Sequence, residues 1–419
     1  MAEEYMLDWL ISVDDHVLEP PDLWQNRVPS QLRDRAPKIV RDGDNEWWEY
    51  DGIRSPTTGL AATAGKEAKD FSFQPMRYED MRPGCYDSVA RTKDMDEAGI
   101  LASLCFPSFP RFCGQVFTEG KDRGLGLICV QAYNDWMIEE WCGSVPGRFI
   151  PNIILPLWDP VLAAEEVRRC ARKGARALAF SENPAALGLP SIYDPAQPWD
   201  PVWQACDETG VVVCMHIGSS SQFWRPSDKS PGIVNYILGA PVNISAAMIE
   251  WLFAPPFNRY PNLKIALSEG AIGWIPYYLE RSAYTVERHR YWVNKVSAQS
   301  MGRAPTSLDA LDPVDELEGL PDLETMDVRA VFRDHIFGCF INDFHGVANI
   351  RDIGIDNVMI ETDYPHSDST WPDCIKFAHE QLSTISLTNE EKYKILRGNA
   401  ERVFRFDPAQ PPVLERGHR

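Results

Sequence analysis

Asp159-Pro160-Val161-Leu162-Ala163-Ala164-Glu165-Glu166-Val167-Arg168-Arg169-Cys170-Ala171-Arg172-Lys173-Gly174, followed by Ala175-Arg176-Ala177-Leu178-Ala179-Phe180, reads as a helix, a stop and a strand. Asp159 suits the cap, where its carboxylate accepts from first-turn amides. Pro160 suits the first helical position, where its missing N–H has no intrahelical partner in any case. Ala164, Val167 and Ala171 recur at helical spacing. Gly174 is the left-handed stop, and the short apolar run after it is strand-like. The same order returns three times: from Asp200-Pro201-Val202 to Gly210 and then 211–216, from Asp94 to Gly99 and then 100–106, and up to Gly354 and then 357–363. Further apolar runs at 10–13, 149–155, 263–267 and 336–341 bring the total to about eight strands, the number a closed (β/α)8 TIM barrel needs. An open doubly wound sheet is the alternative. It usually carries a glycine-rich nucleotide loop, and Gly124-Leu125-Gly126 lacks the third glycine.

The expected architecture is therefore one α/β barrel domain over residues 1–419, with long excursions after strands 1, 5 and 6. The first, residues 18–80, is rich in Pro, Asp and Trp, with a small hairpin expected around Trp47 to Gly52. The second covers 219–260. The third, 296–328, carries an acidic run from Leu308 to Glu316, read as a solvated insertion.

A net charge of −20 excludes nucleic acid and anionic membrane surfaces as natural partners, since both require a basic face. No apolar run approaches the ~20 residues of a membrane span. The ten cysteines include no C-x-x-C pair, and several (Cys105, Cys129, Cys214, Cys339) sit in apolar runs where a free thiol acts as a small hydrophobe. With an N-terminus lacking a signal-peptide pattern, this reads as a reduced, cytoplasmic protein.

In such a barrel the active site lies at the carboxyl ends of the strands. Strand 1 leads into Val13-Asp14-Asp15-His16-Val17. Residues two apart share a strand face, so Asp14 and His16 project together and Asp15 points the other way. A carboxylate beside an imidazole suits a borderline divalent metal. Read alone, the pair is equally a turn cap and a core histidine. Strand 5 ends at His216, strand 6 at Ser268-Glu269-Gly270, and strand 8 at Glu361-Thr362-Asp363-Tyr364-Pro365-His366. Metal-type ligands at four strand ends favour a metal site.

In these pieces (Asp14-x-His16, Met215-His216-Ile217-Gly218 and Glu361-Thr362-Asp363-Tyr364-Pro365, in that order) the chain resembles the amidohydrolase superfamily. The likeness is to its amidohydrolase-related branch, which includes aminocarboxymuconate-semialdehyde decarboxylase and the resorcylate-type decarboxylases. The resemblance implies that Asp14, His16, His216 and Asp363 hold one divalent ion, zinc ahead of manganese. Phe180-Ser181-Glu182 stands where binuclear relatives carry a lysine, which implies a single metal. Asp363 is expected to take a proton from bound water. His366 is either a general acid or an ordinary loop residue. Glu269 falls where many relatives carry a proton-handling histidine. Either it lines the pocket or it binds amides of the next helix, and the first is the reading adopted. Arg281 and the Glu287-Arg288-His289-Arg290 run read as a solvated helix face.

Three functions compete. The first is a metal-dependent hydrolase acting on a small aromatic or carboxylated molecule, favoured because the decarboxylases' strand-6 histidine is missing. The second is a non-oxidative decarboxylase on the same site. The third is a ligand-binding barrel without catalysis, against which the full ligand set argues. Small-molecule substrate and a homodimer are the expected partners.

Overall fold

A computed structural model describes residues 7–225, 227–234, 238–292 and 319–412. Strand β1 is Leu10–Val17, and a separate antiparallel sheet follows in β2 (Lys38–Asp42), β3 (Asn45–Tyr50) and β4 (Ile53–Pro56). The remaining strands are β5 (Ile100–Pro107), β6 (Phe149–Ile150), β7 (Asn152–Ile153), β8 (Ala177–Ser181), β9 (Val212–His216), β10 (Ile265–Ser268), β11 (Ile336–Phe340) and β12 (Val358–Ile360). Every residue of β1 and of β5 to β12 is buried, as in parallel strands covered on both faces by helices.

All pairings among these strands are parallel. One sheet runs β1-β5-β6 and the other β7-β8-β9-β10-β11-β12. The 149–155 run expected as one strand is divided at Pro151, which has no N–H to give to the ladder. At the far end, Asp363 N donates to Asp14 O at 2.9 Å and His16 N to Tyr364 O at 2.7 Å. The stretch after β12 thus lies along β1 on the side opposite β5.

The helix–glycine–strand grammar holds with one local change. Asp159 accepts from the amides of Val161 and Leu162 and opens the helix Pro160–Arg172. Asp200 instead lies inside its helix, Asp200–Thr209, with Trp199 at the cap. Its carboxylate is engaged by Arg259 and does not cap. Gly210 stops that helix at φ 65°, and a Cβ there would run into the Arg405 guanidinium.

The excursion after β1 is more ordered than a hairpin. Asp51 and Gly52, at φ 49° and 83°, turn β3 into β4; both angles are positive, as a two-residue turn matched to strand twist requires. Trp48 of β3 stacks on Phe109 with centroids 4.7 Å apart, and Trp24 meets Trp48 edge-on at 5.4 Å. The excursion thereby packs against the loop that follows β5. Thr63 bonds back to the other side, its Oγ1 donating to His366 O at 2.7 Å. The second excursion contains the helix Ala240–Leu252. Residues 296–318 of the acidic insertion lie outside the described residues. All ten cysteines are free and buried. Among the described residues no helix is long and apolar enough to cross a membrane.

Candidate metal centre

β1 places Asp14 and His16 on one face, as its period requires. Asp15 points away and is used differently. Its carboxylate accepts from Ser12 Oγ (3.0 Å), Ser103 Oγ (2.5 Å), Thr362 Oγ1 (2.6 Å) and Tyr364 N (3.0 Å). Asp15 thus ties β1 to β5 and to the stretch after β12. Arg91, fully buried, adds a donor to His16 O at 2.6 Å and lies over the Tyr364 ring at 4.1 Å. The backbone carrying the ligands is held from behind.

β9 sits between β8 and β10, with His216 in register with Ser181 and Ser268. That order brings His216 Nε2 to 3.1 Å from His16 Nε2, although the two residues are 200 positions apart. Asp14 lies between them, its Oδ1 3.6 Å from His16 Nε2 and its Oδ2 3.4 Å from His216 Nε2. Asp363 Oδ1 is 3.3 Å from His16 Nε2 and 3.2 Å from His366 Nδ1. Glu269 Oε2 is 3.2 Å from His216 Nε2. Both Asp363 and Glu269 reach these positions from left-handed backbone, at φ 52° and 54°, a conformation that costs on the order of 1–3 kcal/mol in a non-glycine residue and clusters at functional sites.

The donor set fits a divalent cation. His216 Nδ1 is 2.6 Å from the Ile217 carbonyl, which can only accept. Nδ1 therefore carries the proton, and the Nε2 lone pair faces the cluster. The four carboxylate oxygens of Asp14 and Asp363 are buried without a hydrogen-bond partner, a costly state for carboxylates unless a cation meets them. Ligand atoms of Asp14, His16 and His216 lie within 4.8 Å of one another, as do those of His16, Asp363 and His366. Two imidazoles and two carboxylates accommodate zinc or manganese alike.

The electrostatics divide the carboxyls. Burial, reinforced by the charges of Glu361, Glu269 and Asp363, pushes Asp14 well up. Burial likewise raises Glu269, with Asp363 adding to it. Burial also acts on Asp363, but the imidazoles of His366 and His16 outweigh it and hold that carboxyl below its usual range. Desolvation keeps both metal-side histidines neutral, His216 being lowered to about 4. Glu361 does not enter the cluster: its Oε1 accepts from Glu269 N at 2.9 Å and so braces the strained residue. Glu182 is bound by Ser219 and Ser220, away from the cluster.

An open cleft of about 840 Å³, counted to its mouth, lies over this cluster; Glu269, Asp363 and His366 line it together with Phe112 and Ser108. Phe112 stacks on His216 at 4.1 Å and His366 on His16 at 3.6 Å, so an aromatic ring covers each metal-side imidazole. The sequence reading anticipated Asp14, His16, His216, Asp363, Glu269 and His366 at one mouth, and the structure brings all six together. It passed over Phe112, Ser108 and the excursion residues Thr58, Leu60 and Ala61, which form the opposite wall. The signal for Phe112 is its place in the loop beyond the end of β5, where an aromatic residue can face the mouth.

A sequence profile described as amidohydrolase matches residues 42–406. The chain is 25% identical over 327 residues to a gamma-resorcylate decarboxylase of Rhizobium sp. (strain MTP-10005), covering 76% of this chain and 87% of that one. Its fold is similar to that of 5-carboxyvanillate decarboxylase from Sphingomonas paucimobilis, with TM-score 0.61, 20% identity and coverage of 95% and 99% of the two chains. It is also similar to a 5-carboxyvanillate decarboxylase from Novosphingobium aromaticivorans complexed with manganese and 4-hydroxy-3-methoxy-5-nitrobenzoic acid, with TM-score 0.58, 16% identity and coverage of 95% and 96%. These relatives overturn the expectation of hydrolysis: they are decarboxylases. That expectation gave more weight to the histidine missing after β10 than to His366, the candidate general acid, which stands against Asp363 in the stretch after β12. Nor do they favour zinc, since the metal named among them is manganese. By its matched profile and its aligned relatives, this chain belongs to the amidohydrolase family, in the branch of the resorcylate and aminocarboxymuconate-semialdehyde decarboxylases.

Proposed function

We propose that this protein is a non-oxidative, metal-dependent decarboxylase, a carboxy-lyase acting on a small hydroxylated aromatic acid. The observation that carries the reading is the buried Asp363 at the cleft, with His366 Nδ1 3.2 Å from its Oδ1. Asp14, His16, His216 and Asp363 would hold the divalent ion, for which manganese is our first choice. When bound, that ion supplies a positive centre that draws a substrate carboxylate and its neighbouring phenol oxygen into the cleft.

The chain's own groups then manage one proton. Held ionised beside two imidazoles, Asp363 faces His366, which reaches toward solvent with 18% of its side chain exposed. His366 can pass a proton from solvent to Asp363, and Asp363 delivers it to the ring carbon that bears the carboxylate. The bond from that carbon to the carboxylate breaks, its electron pair returns to the ring, and carbon dioxide leaves. Glu269, whose carboxyl is pushed up by desolvation and by the charge of Asp363, faces the substrate from the other side of the site. Phe112 supplies an apolar face against which a flat ring can lie.

We further propose that the parallel segments close into one eight-membered barrel within a single domain; the backbone bonds between 363–364 and β1 support this. The free, buried thiols support a reducing compartment such as the cytoplasm. A homodimer is supported by an exposed stripe at sevenfold spacing, Tyr277, Tyr284 and Tyr291, along and just past the helix Ile275–His289.

The test is to load the protein with manganese and offer salicylate and dihydroxybenzoates beside phenyl esters and lactones. Carbon dioxide and the matching phenol are expected, with the esters and lactones untouched. No carbon dioxide from any acid by fully loaded protein refutes the reading.

A further inference from the structure

We infer that the cleft selects an aromatic acid whose only anionic group is the one removed, and that Asp368 at the mouth rejects a second carboxylate on the ring. This rests on the decarboxylase reading and adds the substrate's charge to it.

The cleft has two lobes. The first lies over the cluster, walled by Phe112 and by Thr58, Leu60 and Ala61 of the excursion after β1. The second opens beside it between Pro241, Asn342 and Phe377. Ile217, Glu269 and Asp368 line both lobes and so form the divide between them. A ring anchored at the cluster therefore presents a substituent on its outer side to Glu269 and Asp368. Among the described residues no lysine or arginine lines either lobe. Arg111, next in sequence to Phe112, is held by both oxygens of Glu119 at 2.6 and 2.8 Å and also bonds Ser221. Arg82 is held by Asp94 at 2.7 Å and lies over Trp371. On the outer side of the ring, away from the metal ligands, a second carboxylate would meet the carboxyl groups of Glu269 and Asp368 and no lysine or arginine among the described residues.

Like charges brought together in a partly desolvated cleft repel strongly, whereas a hydroxyl or amine in the same place donates hydrogen bonds to the same oxygens. Ser108 adds to this preference. Its Oγ is buried at the cleft without a hydrogen-bond partner, ready to meet a neutral phenolic oxygen. The charge of the lining, more than its volume, sets the choice between acids.

The test uses two nitrophenols of matched shape, 4-amino-2-nitrophenol and 4-hydroxy-3-nitrobenzoate, which differ only in the group opposite the hydroxyl. Each is titrated into the manganese-loaded protein while tryptophan fluorescence is followed. The amine is expected to bind at least ~10-fold more tightly, as repulsion between like charges predicts. Asp368→Asn should shrink that ratio several-fold, and Asp368→Lys should reverse it; Asp368 is exposed, so the variants fold. Equal or tighter binding of the benzoate by the unaltered protein overturns the inference. So does a ratio that neither variant changes, or failure of both compounds to bind. Neither probe has a carboxylate beside its hydroxyl, so the ratio is read whether or not the protein decarboxylates anything. An intact ratio without carbon dioxide from salicylates would refute the function while leaving the selectivity standing.

Discussion

Replacing His216 by alanine should remove most of the thermal stabilisation that manganese gives this protein. His216 Nε2 faces Asp14 and His16 with its lone pair free, so its loss removes one ligand of four. For a chain of 419 residues the entropy of unfolding is about 0.9 kcal/mol per kelvin, taking ~2.1 cal/mol/K per residue. Manganese at 100 times its dissociation constant stabilises the native state by about 2.7 kcal/mol, which raises Tm by roughly 3 °C. Changes in the outer shell of a metal site alone cost 10–100-fold in affinity, so a lost ligand should cost at least ~100-fold. The same manganese would then contribute only about 0.4 kcal/mol, a shift near half a degree. The assay is differential scanning calorimetry of each protein with metal and with chelator. Each protein is its own reference, so the packing lost with the imidazole cancels. A full 3 °C shift in His216→Ala would show that His216 is not a ligand and would take the site apart.

Asp363→Asn should keep bound metal, measured by atomic absorption, yet lose ~10²–10⁴-fold in turnover, the usual worth of a positioned acid or base; near-normal turnover in loaded protein would remove the proton role. Asp15→Ala leaves Ser103, Thr362 and the Tyr364 amide without their shared acceptor and removes the buried charge 4.0 Å from Arg91, and should cost ~3–5 kcal/mol in urea unfolding; a loss under ~1 kcal/mol would contradict it. Glu19 is buried on the amides of Ser108 and Phe109, and burial pushes its carboxyl up to about 7. The unfolded chain ionises near 4.5 while the folded one keeps the proton, so this group's contribution is full below pH 4.5 and is lost as pH rises to about 7, by about 3 kcal/mol at most. Glu19→Gln should therefore gain on the unaltered protein between pH 5 and 7.5, and a difference that stays flat over that range would count against the assignment.

Local order was legible in the residues because it depends on local periods. The two-residue period of β1 put Asp14 and His16 on one face and turned Asp15 away. The cap, proline and glycine around 159–174 marked a helix before any contact was known. Strand ends could be found this way, and with the barrel rule so could the six polar groups at the mouth. What lay beyond reach was anything decided by which distant pieces meet. That His366 stacks on His16, that Glu361 braces the Glu269 amide and leaves the cluster alone, and that residues 58–61 wall the cleft all follow from the order of strands around the sheet and from the path of a long excursion. No spacing along the chain encodes those distances. The reaction was misjudged for a different reason: the histidine absent after β10 counted for more than His366, which lies only three residues past Asp363 and in the folded chain stands 3.2 Å from its Oδ1.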